Sequence, residues 1–256
     1  MPRKIERYGW VPDLPDHRDQ VFAAPTPTLL ALPKKVDLRP QCPKHVYDQG
    51  QLGSCTGNAI AAAMEFDLIK EGAKPEFTPS RLFIYYNERA LEHTVNSDSG
   101  AQIRDGVKSV NKQGAPPENL WPYDITKFEK KPSADAYGEA AKHKVSSYQR
   151  VARSLSQMKG CLAAGFPFVL GFTVYDSFES EAVAKTGQVP MPSAGESVLG
   201  GHAVLAVGYE DDQQRFIVRN SWGDTWGIKG YFTMPYAYLL DSNLSDDFWT
   251  LRQVSV

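Results

Sequence analysis

The chain has 256 residues, and 28 Lys and Arg against 30 Asp and Glu give a formal net charge of −2. That length supports one large domain or two modest lobes around a buried core. A hydrophobic share of 42% excludes disorder as the main state, and near-neutral charge argues against a chain built to bind phosphate backbones.

No apolar run approaches the roughly 18 residues of a membrane-spanning helix, so no membrane partner is expected. The basic start Met1-Pro2-Arg3-Lys4 is followed by no apolar signal segment, which leaves a cytoplasmic location or export by another route open. The three cysteines, Cys42, Cys55 and Cys161, are too few for a disulfide framework. With no Cys-x-x-Cys pair and five scattered histidines, a structural metal site is not expected.

Residues 1–35 carry six prolines, a density that forbids long helices and central strands. The segment reads either as a loose terminal arm or as a strap across a functional cleft. From Thr56 the pattern turns helical through Ala59, Ile60, Ala63, Met64, Phe66 and Ile69, with Gly72 as the stop. Thr78-Pro79-Ser80 opens a second helix, residues 93–100 form a polar loop, and a third helix over 101–113 closes at Gly114. Beyond Pro116, Pro117 and Pro122 the period changes. Residues 168–174 read as a buried strand, and 203–209 and 215–219 as a hairpin centred near Asp211. Strand-like runs follow at 230–234 and 248–254. Helices first and strands later predict an α+β protein.

One loop draws attention. Gln49-Gly50-Gln51-Leu52-Gly53-Ser54-Cys55 delivers a cysteine to a helix N-terminus, where free N–H groups and the helix dipole favour a thiolate. Its bland counterpart is a small cysteine packed in the core. A base is supplied by Gly200-Gly201-His202, which opens a strand, and Asn220 closes the next one. A register centred on Asp211 sets His202 opposite Asn220, since 202 + 220 = 2 × 211. Asn220-Ser221-Trp222-Gly223 through Trp226-Gly227 adds an aromatic lid that shields a hydrogen bond, or equally two core tryptophans with turn glycines. Cys42 and Cys161 read as structural. His17, His45, His93 and His143 read as surface residues, and the lysines at 127–131 and 142–144 as solvated faces.

These blocks resemble the papain family of cysteine peptidases, in its bacterial branch with a short pro-segment. Gln49 to Cys55 matches the nucleophile loop, Gly201-His202-Ala203-Val204 the histidine strand, and Asn220-Ser221-Trp222-Gly223 the asparagine motif. Val36-Asp37-Leu38-Arg39 and Trp121-Pro122-Tyr123 match more weakly. The resemblance implies a two-lobe papain-like α+β fold: a helical lobe over 36–125 and a β-rich, barrel-like antiparallel lobe over 126–256, with the C-terminal strand returning towards a cleft between them.

By the same resemblance, Cys55 is the nucleophile, His202 its imidazolium partner, Asn220 the group that orients His202, and Gln49 an oxyanion donor. Trp222 covers the His–Asn bond, and Ser99-Gly100 binds substrate backbone. Gly171 and Gly201 wall the main specificity pocket, with Asp246 at its floor. Residues 1–35 become a pro-segment of a zymogen. The implied partner is a peptide or protein substrate of a monomeric cysteine endopeptidase, with no metal, organic cofactor or nucleic acid. An aminopeptidase and a catalytically silent binding protein are the alternatives. Departures from the family are Leu52 in place of a disulfide cysteine, and Thr56-Gly57-Asn58 in place of Trp-Ala-Phe.

Overall fold

A computed structural model describes residues 4–74 and 76–254, so the first three residues of the basic start lie outside it. The proline-rich start stays extended. It holds two-residue strands β1 (Trp10–Val11) and β2 (Val21–Phe22) and one short helix, α1 (Thr26–Leu30), with Pro27 in its first turn. Strand β3 (Lys35–Asp37) follows.

Helix α2 (Cys55–Lys70) is apolar almost all round, and Ile60, Met64 and Phe66 are fully buried. A helix without a polar face belongs in the middle of a protein, and α2 packs against α3 (Arg81–Leu91) on one side and strands of the main sheet on the other. Ser80 caps α3, its Oγ accepting the Phe83 N–H at 3.2 Å. The next helix is shorter than the sequence pattern predicts. Residues Ala101–Gln102 form a strand, β4, and α4 (Ile103–Lys112) begins after it. The cause is pairing: β1 lies parallel to β4, with Trp10 opposite Ala101.

The second half alternates short helices with strands. In order these are α5 (Ala134–Ala140), β5 (Val145–Val151), α6 (Leu155–Ala163), β6 (Phe168–Tyr175) and α7 (Glu181–Thr186). Then come β7 (Val198–Glu210), β8 (Arg215–Arg219), β9 (Tyr231–Pro235), α8 (Tyr236–Leu240) and β10 (Ser245–Val254). The main sheet runs β2-β5-β10-β6-β7-β8-β9, with β3 added along β7. All its pairings are antiparallel except β2 with β5. Among the described residues the sheet does not close into a barrel, because β2 and β9 end it without meeting.

Two further expectations change. The β7–β8 hairpin pairs Leu205 with Arg219 and Ala206 with Val218. That centres it on 212, since 205 + 219 = 424, and a bulge between Ala206 and Gly208 shifts the register again. His143 is buried, not at the surface, because its ring stacks on Phe77 at 4.6 Å between centroids.

Candidate active site

The N-terminus of α2 meets β7 where the helices face the sheet. Cys55 is fully buried there. Its loop is pinned from three directions. The Gly53 N–H donates to both oxygens of Asp98, at 3.1 and 3.0 Å. The Tyr123 hydroxyl donates to the Gln49 carbonyl at 2.9 Å and contacts Ser54 Oγ. The Gln49 N–H donates to the Ser221 carbonyl at 2.9 Å, which ties this loop to the segment after β8. Leu52, where the family carries a disulfide cysteine, packs instead with Leu82, Tyr85 and Ala101.

His202 sits on β7 opposite Phe172 of β6. Its Nε2 lies 2.8 Å from Asn220 Oδ1. With the hairpin centred on 212 the two are not a cross-strand pair. Asn220 lies just past the end of β8, with its N–H on the Gly230 carbonyl at 3.0 Å, and its side chain reaches across. Aromatic rings enclose His202: Trp222 at 5.3 Å, Phe172 and Tyr8 at 5.7 Å, and Phe178 at 6.3 Å between centroids. The Gln49 amide is fixed at both ends, its Oε1 accepting from Ser221 Oγ at 2.6 Å and its Nε2 donating to the Leu52 carbonyl at 3.0 Å. One of the two Nε2 hydrogens therefore remains for another acceptor.

The cleft is filled by the chain's own start. Gly9 lies so close to the loop before Cys55 that a Cβ on it would fall 1.7 Å from the Gly53 carbonyl oxygen. The Ala101 N–H donates to the Gly9 carbonyl at 2.8 Å. Gly100 abuts the same backbone, and Ser99 Oγ donates to the Gly100 carbonyl. On one side of Gly9, Tyr8 meets His202 and Trp222. On the other, the Trp10 indole fills a pocket walled by Gly171 and Gly201, where a Cβ would lie 2.0 Å and 2.8 Å from its ring.

Asp246 does not reach that pocket. Its carboxylate is partly exposed and pairs with Arg150 at 2.9 Å and Arg153 at 3.1 Å. The acid at the floor is its neighbour Asp247, whose Oδ2 accepts from the Trp10 indole at 3.0 Å and from the Asp13 N–H at 2.8 Å. Asp13 is buried as well, accepting from the Trp249 indole at 2.8 Å and the Arg104 N–H at 3.0 Å. Arg104 also holds Asp19 of the strap at 2.6 Å.

Electrostatics follow burial. Desolvation pushes the Cys55 thiol up to about 12, with backbone contacts from Ala203, Gly9 and Thr56 only partly opposing it. Burial first, and the Asp247 charge second, push Asp13 up to about 7. Behind the first turn of α2, the fully buried Glu88 accepts from Thr56 Oγ1 at 2.6 Å, and burial drives its carboxyl well above the usual range. Cys42 and Cys161 are buried too, and desolvation raises both thiols. Among the described residues no cluster of three metal-capable side chains occurs, and no helix is long and apolar enough to cross a membrane.

Of the residues the sequence singles out, His202 and Asn220 are hydrogen-bonded to each other, Gln49 is tied to Ser221 beside them, and Cys55 begins the helix next to Ala203. Sequence reasoning gave no role to Ser221 or Tyr123, although both lie inside the quoted motifs, or to Asp98, Glu179 and Asp247.

Comparison with known proteins adds four findings. The model of the papain family cysteine proteases matches residues 32–243. The crystal structure of xylellain, a cysteine protease from Xylella fastidiosa, superposes with a TM-score of 0.91 at 46% identity, covering 99% of this chain and 98% of that one. An uncharacterized peptidase C1-like protein of Acanthamoeba polyphaga mimivirus is 42% identical over 271 residues, covering 97% of this chain and 87% of its own. At 17% identity, the digestive procathepsin L 3 of Tenebrio molitor shares the fold with a TM-score of 0.71.

Proposed function

We propose that this chain, which belongs to the papain family of cysteine proteases, cleaves internal peptide bonds through a Cys55 thiolate paired with His202, under the control of its own first 35 residues. Its substrates are peptides or proteins. With Nε2 of His202 engaged by Asn220, Nδ1 is the nitrogen that exchanges protons with the thiol. Cys55 attacks the substrate carbonyl carbon, and the resulting oxyanion takes hydrogen bonds from the Cys55 N–H and the second N–H of Gln49 Nε2. His202 gives its proton to the leaving amine. It then takes one from the water that hydrolyses the acyl-enzyme. Trp222 keeps water from the His202–Asn220 bond.

The observation that carries this reading is the 2.8 Å His202–Asn220 bond on β7, beside the helix that begins at Cys55. Ala203, the residue after His202, offers its backbone to the Cys55 thiol.

The strap has the features of an inhibitor and lacks those of a substrate. Its Gly9 carbonyl accepts from the Ala101 N–H, and its backbone contact with Cys55 favours the thiolate, as an N–H donor does. With the Gly9 carbonyl held by the Ala101 N–H, the strap sits in the cleft as a blocking segment.

An endopeptidase is favoured over an aminopeptidase by the strap's path. It enters on the Glu179 side, crosses Cys55 and leaves past Asp247, so the cleft holds a continuous chain on both sides of the nucleophile. Peptides acetylated at one end and amidated at the other test this. Internal cuts that disappear in Cys55→Ala are expected. Cleavage only of peptides with a free amino end would return the aminopeptidase.

A further inference from the structure

Glu179 ends the turn that follows β6, and its neighbour Phe178 is locked into the aromatic enclosure of the site, 5.2 Å from Trp222 and 6.3 Å from His202 between ring centroids. The backbone that carries Glu179 is thereby anchored on the cleft wall. Among the described residues, both hydrogen bonds to the Glu179 carboxylate come from the strap. The Tyr8 hydroxyl donates to Oε1 at 2.6 Å, and the Ile5 N–H donates to the same oxygen at 3.0 Å. When the strap leaves, a half-buried carboxylate loses both donors while facing the groove.

The side of the groove is set by chemistry. Trp10 fills the pocket beyond Gly9 in one direction, and Tyr8 contacts the His202 ring in the other. His202 has to protonate the departing amine, so the Tyr8 side is where the leaving half of a substrate lies.

We propose that Glu179 selects the residue immediately after the scissile bond, favouring side chains that end in an N–H or O–H donor: Lys, Arg or Tyr. The strap exploits the same preference through Tyr8. A cation there gains an ion pair as well as a hydrogen bond, whereas a substrate Glu meets a like charge. For a half-buried carboxylate this separates Lys from Glu by about 5–10-fold. The inference rests on the reading of Cys55 and His202 as peptidase machinery.

The test uses the full-length chain carrying Trp10→Ala, which weakens the strap's hold on the cleft. Peptides identical except for Lys, Tyr, Phe or Glu after the cut are compared within each protein, with Glu179→Gln and Glu179→Lys added in the same background. A peptidyl aminocoumarin, which has no side chain on the leaving side, reports the peptidase reading separately. Expected are a Lys-to-Glu ratio of about 5–10 with Glu179, a ratio near one with Gln, and a reversal with Lys. Coumarin release by all three proteins with the same Lys-to-Glu ratio in each overturns the assignment of Glu179 alone. Absence of coumarin release from every variant overturns it together with the peptidase reading.

Discussion

Trp10 donates its indole N–H to the carboxylate of Asp247 at 3.0 Å across 237 residues of sequence. One bond thus joins the strap to the floor of a pocket in the β-sheet. The strap thereby occupies the acidic floor between Gly171 and Gly201.

Loss of that anchor should uncover the thiol. Burial holds Cys55 near 12 while the strap is docked, so little thiolate is present at pH 7 and it grows as pH rises. In Trp10→Ala, water returns to the site and the Cys55 pKa falls. Iodoacetamide should then label Cys55 faster at pH 7 than in the unaltered chain, with the gap narrowing towards alkaline pH. Equal rates at pH 7 contradict a strap that buries the nucleophile.

Asp247 should shape selectivity at the pocket that Trp10 vacates. Substrates with Arg in the second position before the cut are expected to lose about 10-fold or more relative to Phe in Asp247→Ala, as a charged hydrogen bond disappears. Asp246→Ala should change that ratio much less, because Asp246 pairs with Arg150 and Arg153 and reaches Asp247 only through Arg150, which lies 3.2 Å from it. The Arg-to-Phe ratio of kcat/KM for the two variants decides the matter.

Gln49→Ala should lower kcat by ~10²–10³ with a smaller change in KM, the pattern for one lost oxyanion donor. Asn220→Ala should remove part of the ~10²–10⁴ that acid–base catalysis supplies, because His202 loses its orientation. A change confined to KM in either variant would assign the residue to ground-state binding.

Strap docking should depend on pH through Asp13. Its carboxyl is raised from 3.8 to about 7 when buried, so the docked state binds a proton that the free strap releases. For a raised pKa the contribution to docking is complete below about pH 4 and is lost as pH climbs through 7. Protection of the Asp13 amide, which donates to Asp247, from hydrogen exchange, corrected for intrinsic rates, should fall across that interval. Asp13→Asn should flatten the dependence. A strap that tightens with rising pH contradicts this account.

The candidate site residues are legible because each lies in a short contiguous motif: a cysteine after a glycine loop, a histidine opening a strand, an asparagine ending one. What was not legible depends on irregular backbone. Asp247 has a φ of 58°, and the β10–β6 register shifts between Asp246 and Trp249. Alternation along a regular strand cannot say which of two adjacent acids faces the pocket once it is broken in this way. The four-residue β7–β8 loop centres the turn end of the hairpin between 212 and 213, where Glu210 pairs with Arg215, and the β7 bulge brings the centre to 212, so 211 is nowhere its axis. β5 was missed because its central Ser-Tyr-Gln-Arg stretch is half-exposed and shows no apolar alternation. The strap's choice between loose arm and cleft cover could not be made locally, since its anchors Glu179, Arg104 and Asp247 lie about 85 to 237 residues away.

Intact-mass labelling with an epoxide-type thiol inhibitor tests the central claim most directly, using the unaltered chain, Trp10→Ala and the same chain with Cys55→Ala added. The account predicts one adduct, formed faster in Trp10→Ala and absent when Cys55 is replaced. An adduct that persists without Cys55, or no adduct on Trp10→Ala, would contradict it.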